Sequence, residues 1–172
     1  MADARLAENT LHDCDVGTPA LKLAAEFPRV DFTAVDPVYP DKKSPAGARY
    51  HYTRDAVLQR AQLALARLYA RPEKVIVVVS HSGFLRAGIS GSWFQNADYR
   101  IFDLVRAPAS DAAVATNGDG GDGGGGQDPV EKGVEGYTYS VVQHESTRET
   151  SGGLGRSRPA TVELGEGLPL SQ

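Results

Sequence analysis

Five consecutive apolar residues, Val75–Val79, run directly into the polar sequence Ser80-His81-Ser82-Gly83. A continuous apolar run, unlike an alternating one, predicts a β-strand that is covered on both faces, as strands are in a parallel sheet. Helical periodicity precedes the run and resumes after it. The order helix, buried strand, tight turn and helix is typical of an α/β domain, and the sequence therefore predicts this fold class.

Two helices are predicted before the apolar run. The longer one begins after Thr53, which is placed to cap it, and ends before Pro72. Its buried stripe consists of Val57, Ala61, Ala64, Leu65 and Leu68. Arg60 is expected to fall to the side of this stripe. The shorter helix covers residues 18–27, with Thr18 as its expected cap.

Two further strands are predicted after the run, over residues 98–105 and 136–144. Between them lies a glycine-rich run, residues 116–128, which predicts a flexible insert because ordering glycine is entropically costly and few apolar residues offset that cost. It is not a phosphate loop, which needs a lysine and a serine or threonine directly after its glycines. Residues 146–172 are rich in Gly, Ser, Arg and Pro, a composition that predicts a disordered tail. The expected folded domain therefore covers residues 1–145.

The charge balance limits the classes of partner. The chain of 172 residues carries 18 basic and 22 acidic side chains, a formal charge of -4, so no basic excess is available to neutralise the phosphates of a nucleic acid. A small anionic metabolite needs only a few local donors. The single cysteine, Cys14, and the lack of a signal sequence or a membrane-length apolar run predict a cytoplasmic protein that does not bind membranes. Neither a metal nor a cofactor is predicted.

The polar residues after the apolar run are candidates for a binding site, because ligands bind at the carboxyl ends of parallel strands. Gly83 permits a tight turn there, and Arg86 adds a positive group one helical turn further on. The imidazole of His81 can hydrogen-bond a phosphate oxygen or move a proton near neutral pH. Alternatively, His81 caps the following helix or satisfies a buried carbonyl, and the strand position alone leaves both interpretations open.

The sequence "VVSHSGFLR" resembles the second histidine motif of the histidine phosphatase superfamily, the phosphoglycerate mutase-like proteins. The segments "CDVG", "FPRVDFTAVDPVYPDK", "RPEKVIVVVSHSGFLR", "NADYRIFDL" and "GGLGRS" together resemble a branch of this family that is common in fungi. The similarity extends from about Leu6 to Ser157, with the glycine-rich run as an insertion. It implies a three-layer fold, a sheet flanked by helices, and phosphatase or mutase activity on small phosphomonoesters.

The resemblance also implies roles for single residues. Family members transfer the phosphoryl group to a histidine in an Arg-His-Gly motif at the end of the central strand. His81 matches the second histidine of the family, which binds the phosphate and stabilises it electrostatically, and Ser82, Gly83 and Arg86 are expected to bind phosphate beside it. Glu8, in "RLAEN", matches the general acid, or else it is a solvated glutamate near the terminus.

No Arg-His-Gly motif occurs in the sequence, and none of the other histidines, His12, His51 and His144, follows an apolar run and precedes a glycine. The sequence therefore assigns no nucleophile. The chain resembles the C-terminal two-thirds of a family member, through truncation, an incorrect start or loss of the phosphoryl-transfer step. The central strand is then expected to be absent, which would lower stability, favour a homodimer through the open sheet edge, or require a strand from elsewhere.

Three functions remain open at this point. The first is a phosphatase or mutase-like protein that acts on or binds small phosphomonoesters, with impaired phosphoryl transfer. The second is acid–base chemistry on the same scaffold, such as a dehydration or isomerisation in fungal secondary metabolism, for which a histidine and a carboxylate suffice. The third is an anion-binding protein without catalysis.

Overall fold

The computed structural model of the protein describes residues 1–109 and 136–171, so that the predicted insert at residues 116–128 lies outside the described residues. These residues form a mixed α/β structure with short helices and one small sheet. The helices are α1 (Ala20–Glu26), α2 (Arg54–Tyr69), α3 (Ser82–Phe84, continued by a π-helical turn over Leu85–Ser90) and α4 (Glu145–Arg148), with 3-10 helices at Ala4–Leu6 and Pro45–Tyr50; the strands are β1 (Phe102–Pro108) and β2 (Tyr137–Gln143).

Helix α2 is the centre of the core. Thr53 caps it as predicted, because the Ala56 N–H donates to Thr53 Oγ1 at 3.4 Å, and the helix ends at Tyr69, before Pro72. Four members of the predicted stripe are buried: Val57, Ala61, Ala64 and Leu65. The expectation for Arg60 is wrong, since only 1% of this residue is exposed. It lies one helical turn from Val57 and thus on the same face.

The short helix α1 confirms the prediction of a helix in residues 18–27, although its start differs. Pro19 is the N-cap residue and makes no capping hydrogen bond through its side chain. The predicted cap at Thr18 is therefore wrong. The fixed φ of proline suits the first residues of a helix, and it sets the start here without a capping hydroxyl.

Helix α3 and its π-helical continuation pack onto α2. Phe84, Ala87 and Ile89 are buried together with Val57 and Ala61 in one cluster. Gly88 allows the close approach of the two helices, because a Cβ at this position would lie 3.0 Å from the Ala61 Cβ. The residues after His81 are thereby fixed to the most buried part of the molecule.

The two predicted strands form an antiparallel pair. Phe102 lies opposite Gln143, and Pro108 lies opposite Tyr137. Strand β1 therefore begins later than the predicted residue 98, whereas β2 agrees with its prediction. The Gln62 side chain accepts from the N–H of Tyr139 and donates to its carbonyl oxygen, both at 2.8 Å, and so attaches the sheet to α2.

The apolar run Val75–Val79 differs most from its prediction. It is extended but pairs with no strand in the part of the chain that the structure describes. Its exposed residues are Val75, Val77 and Val79, at 83%, 86% and 87%, while Ile76 and Val78 are half-buried. The expectation of a strand covered on both faces is therefore wrong, because such burial needs neighbouring strands and layers that the described residues do not supply.

Residues 146–171, for which the composition predicts disorder, pack against the domain. Thr147 and Ser157 are buried. The Asp98 carboxylate accepts the backbone N–H groups of Leu154, Arg156 and Ser157 at 2.9, 3.2 and 2.9 Å, and hydrogen bonds to the charged carboxylate lower the pKa of Asp98 well below its ordinary value. None of the described helices has the length and apolarity needed to cross a lipid bilayer.

Candidate functional site

The turn from Ser80 to Gly83 presents His81 at the surface. Ser80 Oγ donates to the carbonyl oxygen of Leu6 at 2.6 Å, which attaches the end of the extended segment to the N-terminal 3-10 helix. His81 is the N-cap residue of α3, yet its side chain makes no capping hydrogen bond. It is exposed. The alternative in which His81 caps the helix through its side chain is therefore excluded, and the imidazole is open to a ligand.

Glu8 lies against this turn. A Cβ added to Gly83 would be 2.6 Å from Oε1 and 2.8 Å from Oε2 of Glu8, so that the carboxylate occupies the space that a side chain would take. Its Oε1 accepts the backbone N–H of Asn9 at 2.8 Å. The two residues to which the resemblance gives catalytic roles, His81 and Glu8, are thus brought to one turn, and Gly83 is the residue that permits it.

A buried lysine holds the loop of residues 7–15, the Glu8 loop. Lys42 is 3% exposed, and its Nζ donates to the carbonyl oxygens of Glu8, Thr10 and Asp15 at 2.7, 3.0 and 2.6 Å. These three bonds use all the donors of an ammonium group. Burial lowers the pKa of Lys42 to about 8, because the charged form is poorly solvated there. No pattern in the sequence identifies this residue.

A buried arginine supports the same loop from α2. Arg60 Nη1 donates to the carbonyl oxygen of Ala7 at 2.9 Å, and Nη2 donates to Asn9 Oδ1 at 2.8 Å. The guanidinium carbon lies 4.5 Å from the centre of the Phe84 ring. Burial lowers the pKa of Arg60 to about 10, while the charge of Glu8 acts in the opposite direction. Two cationic side chains therefore lie near Glu8 inside the protein.

A second group of cations surrounds Trp93. The Arg86 guanidinium carbon is 4.4 Å from the centre of the indole ring, and that of Arg158 is 5.6 Å from it. Arg100 donates to the carbonyl oxygen of Trp93 at 3.0 Å. The segment is joined to the turn because the Phe94 N–H donates to Ser82 Oγ at 3.3 Å. Of the predicted phosphate-binding residues, Arg86 thus lies on an indole ring, and Ser82 has a structural partner.

A cavity of about 610 Å³ adjoins the extended segment. Residues 75–79 and His81 line it, together with residues of the N-terminal segment, α1 and the loop containing Phe32 and Tyr39. The lining is mainly apolar, apart from a few charged side chains near the N-terminus and the end of α2. His81 therefore lies where the extended segment, the cavity and the Glu8 loop meet.

The other histidines have partners elsewhere or lie on the surface. His51 Nε2 is 3.0 Å from the carbonyl oxygen of Ser44, His144 caps α4 through Nδ1, and His12 is exposed. Within residues 1–109 and 136–171, no group of three His, Cys, Asp or Glu side chains is arranged to hold a metal ion.

Comparison with protein-family models, with curated proteins and with solved structures finds no match. The similarity to phosphoglycerate mutase-like proteins therefore stays a prediction that depends on the sequence segments alone. The position of Glu8 against Gly83 and the exposure of His81 are independent of that similarity, because they are properties of the fold itself.

Proposed function

We propose that the turn at His81 binds small phosphomonoesters, and that the chain forms part of a three-layer, phosphoglycerate mutase-like domain. The observation that carries this proposal is the contact of the Glu8 carboxylate with Gly83, two residues from an exposed imidazole. A general acid must reach the ester oxygen of the leaving group, while a phosphate-binding histidine contacts the non-bridging oxygens of the same phosphate. Here, a carboxylate from a distant part of the sequence contacts the turn that carries the imidazole.

The two side chains are suited to different tasks. The imidazole of His81 makes no hydrogen bond within the described residues, so its ring nitrogens remain for a phosphate oxygen. The guanidinium of Arg86 lies on the Trp93 ring and is not counted as part of this site. Glu8 is half-buried and is positioned through its backbone by Lys42. The resemblance gives Glu8 the role of general acid, the proton donor to the leaving oxygen.

The proposal includes no transfer of the phosphoryl group to a histidine of this chain. His51 and His144 have hydrogen-bond partners of their own, and His12 lies in the exposed loop before Cys14. We therefore propose binding with weak or no turnover of phosphomonoesters as the activity of this chain.

Acid–base chemistry on a substrate without phosphate is the second candidate. The same contact of Glu8 with the turn favours it, since a carboxylate and an imidazole at one site can remove and return a proton without a covalent intermediate. In this case, turnover of a carbonyl or hydroxyl substrate would require both His81 and Glu8, and orthophosphate would not compete with the substrate.

Calorimetric titration with orthophosphate, together with hydrolysis of an aryl phosphate, tests the proposal. We expect orthophosphate to bind to the unaltered chain, and we expect His81→Ala to weaken that binding at least tenfold, while His12→Ala, a change at another exposed histidine, leaves it unchanged. Glu8→Gln should retain or strengthen binding, because it removes a like charge, and should abolish any residual hydrolysis. Equal affinities of the unaltered chain and His81→Ala would refute the proposal.

A further inference from the structure

The extended segment Val75–Val79 has an unused capacity for hydrogen bonding. Within residues 1–109 and 136–171, none of its backbone N–H groups donates to a backbone carbonyl, and none of its carbonyls accepts a backbone N–H. Its side chains already alternate as in a strand, with Val75, Val77 and Val79 exposed and Ile76 and Val78 half-buried. An exposed strand of this kind is a template for pairing with another chain.

We propose that two copies of the chain pair through this segment as antiparallel strands, about a two-fold axis at Val77. In this register Val77 lies opposite Val77 of the second copy, and Val75 lies opposite Val79. The exposed valines of both copies then share one face, and the pairs of β-branched side chains across the strands stabilise the contact.

The charges at the ends of the segment favour a second copy as the partner. Counting outward from Val77, Glu73 lies opposite His81 of the second copy, and Lys74 lies opposite Ser80. A carboxylate thus faces an imidazole at both ends of the strand pair. Parallel pairing in register would place Glu73 beside Glu73 and Lys74 beside Lys74, and like charges directly opposite each other are unfavourable.

Glu73 is free to change partners at small cost. In the single chain, it accepts from Arg71 Nε at 2.9 Å, and both side chains of this ion pair are about one-third or more exposed. Exposed ion pairs contribute roughly 0–1 kcal/mol. Glu73 can therefore replace its partner Arg71 by His81 of the second copy at little cost in free energy.

The pairing would complete the site at His81. A carboxylate that accepts from one imidazole nitrogen fixes the orientation of the ring and leaves the other nitrogen for the ligand, as positioning partners of histidine do elsewhere. Glu73 would thus be a positioning residue supplied by the second copy. This role of Glu73 rests on the proposed function of His81, whereas the strand pairing does not depend on that function.

Cross-linking by cysteine tests the pairing and its register. In a Cys14→Ser background, Val77→Cys should form a disulfide-linked dimer, because residues directly opposite each other in antiparallel strands have Cα atoms about 4.5–5.5 Å apart, a separation that a disulfide spans. Val75→Cys and Val79→Cys should each link slowly alone and rapidly when mixed. Leu21→Cys, at an equally exposed apolar residue on α1, is the matched control.

Linking of Val77→Cys at the rate of Leu21→Cys would overturn the proposal, and so would self-linking of Val75→Cys as fast as that of Val77→Cys. Sedimentation equilibrium of the unaltered chain should show a dimer that dissociates on dilution; a monomer at all concentrations would also overturn the pairing. For the positioning role, the NMR signals of the His81 ring should change more on dilution in the unaltered chain than in Glu73→Gln, which keeps the strand pairing but loses the carboxylate; equal changes would overturn the role of Glu73. Because no phosphate is involved, failure here is distinguishable from failure of the phosphate site.

Discussion

Replacement of Lys42 by methionine is expected to destabilise the protein by about 3 kcal/mol, and this change tests how the Glu8 loop is held. The ammonium group donates to the carbonyl oxygens of Glu8, Thr10 and Asp15 at 2.7, 3.0 and 2.6 Å. Methionine is unbranched like lysine but has no donor. All three carbonyls therefore lose their partner in a single substitution.

Two opposing effects determine the magnitude. Each carbonyl left without a partner costs about 1–3 kcal/mol, and with roughly 2 kcal/mol for each the total loss is about 6 kcal/mol. Burial, with the nearby charge of Arg60, lowers the pKa of Lys42 from 10.5 to about 8, which corresponds to a net cost of about 3 kcal/mol for the charged group that methionine does not incur. The hydrogen-bond loss exceeds this gain, and a net destabilisation of about 3 kcal/mol remains.

Urea unfolding followed by the fluorescence of Trp93, the single tryptophan, measures this difference. With an m-value of about 2 kcal/mol per molar urea for a chain of this size, the midpoint should fall by about 1.5 M. The adjacent exposed residue offers a matched control, since Lys43→Met makes the same chemical change without loss of the three bonds. Equal midpoints for the two variants would show that Lys42 does not hold the loop and that Glu8 is not fixed through its backbone.

Two further changes test the site and its electrostatics. Gly83→Ala should displace Glu8, because the new Cβ would lie 2.6 Å from Oε1. Since the end of a side chain can move, the free energy of unfolding should fall by no more than about 1 kcal/mol, while any residual hydrolysis of an aryl phosphate is lost and orthophosphate binding changes; hydrolysis and binding both at the unaltered level would contradict the contact. The pKa of Lys42 is lowered from 10.5 to about 8 in the folded protein, so between these two pH values the unfolded chain binds more protons, and the contribution of Lys42 to the free energy of unfolding should rise with pH. Urea unfolding at pH 8 and pH 10 should therefore show a smaller rise in the free energy of unfolding for Lys42→Met than for the unaltered chain. Identical rises would exclude the shifted pKa.

Local features of the sequence predicted the helices and the sheet strands well. The Thr53 cap and the stripe from Val57 to Leu65 depend on contacts within a few residues, and the structure confirms both. The sequence prediction for Arg60 is wrong because it relies on the charge of the side chain rather than on its spacing of three residues from Val57. The role of Lys42 depends on carbonyls 27 to 34 residues away, a separation at which spacing in the sequence carries no signal.

The segment Val75–Val79 shows why the apolar pattern alone was insufficient. Its composition specifies a strand that buries both faces, but burial depends on the other segments that lie beside it, which is a property of the whole assembly. The pattern therefore indicates the burial that the segment requires, and the structure shows that the described residues of one chain do not provide it. Glu8 was identified only through the family resemblance, since no local pattern distinguishes it from a solvated glutamate.

The exposed valines and the candidate site are physically coupled, because His81 follows Val79 after a single serine. Burial of a fully exposed valine contributes roughly 1.5–3 kcal/mol, so even partial burial of three valines from each copy supplies several kcal/mol. Fixing one backbone residue costs about 1–2 kcal/mol of conformational entropy. Because the extended segment has no ladder of interstrand hydrogen bonds within the described residues, it has few restraints with which to position the turn at Ser80 and His81. Strand pairing would supply those restraints, and the same event that buries the valines would then fix the imidazole of His81 relative to Glu8.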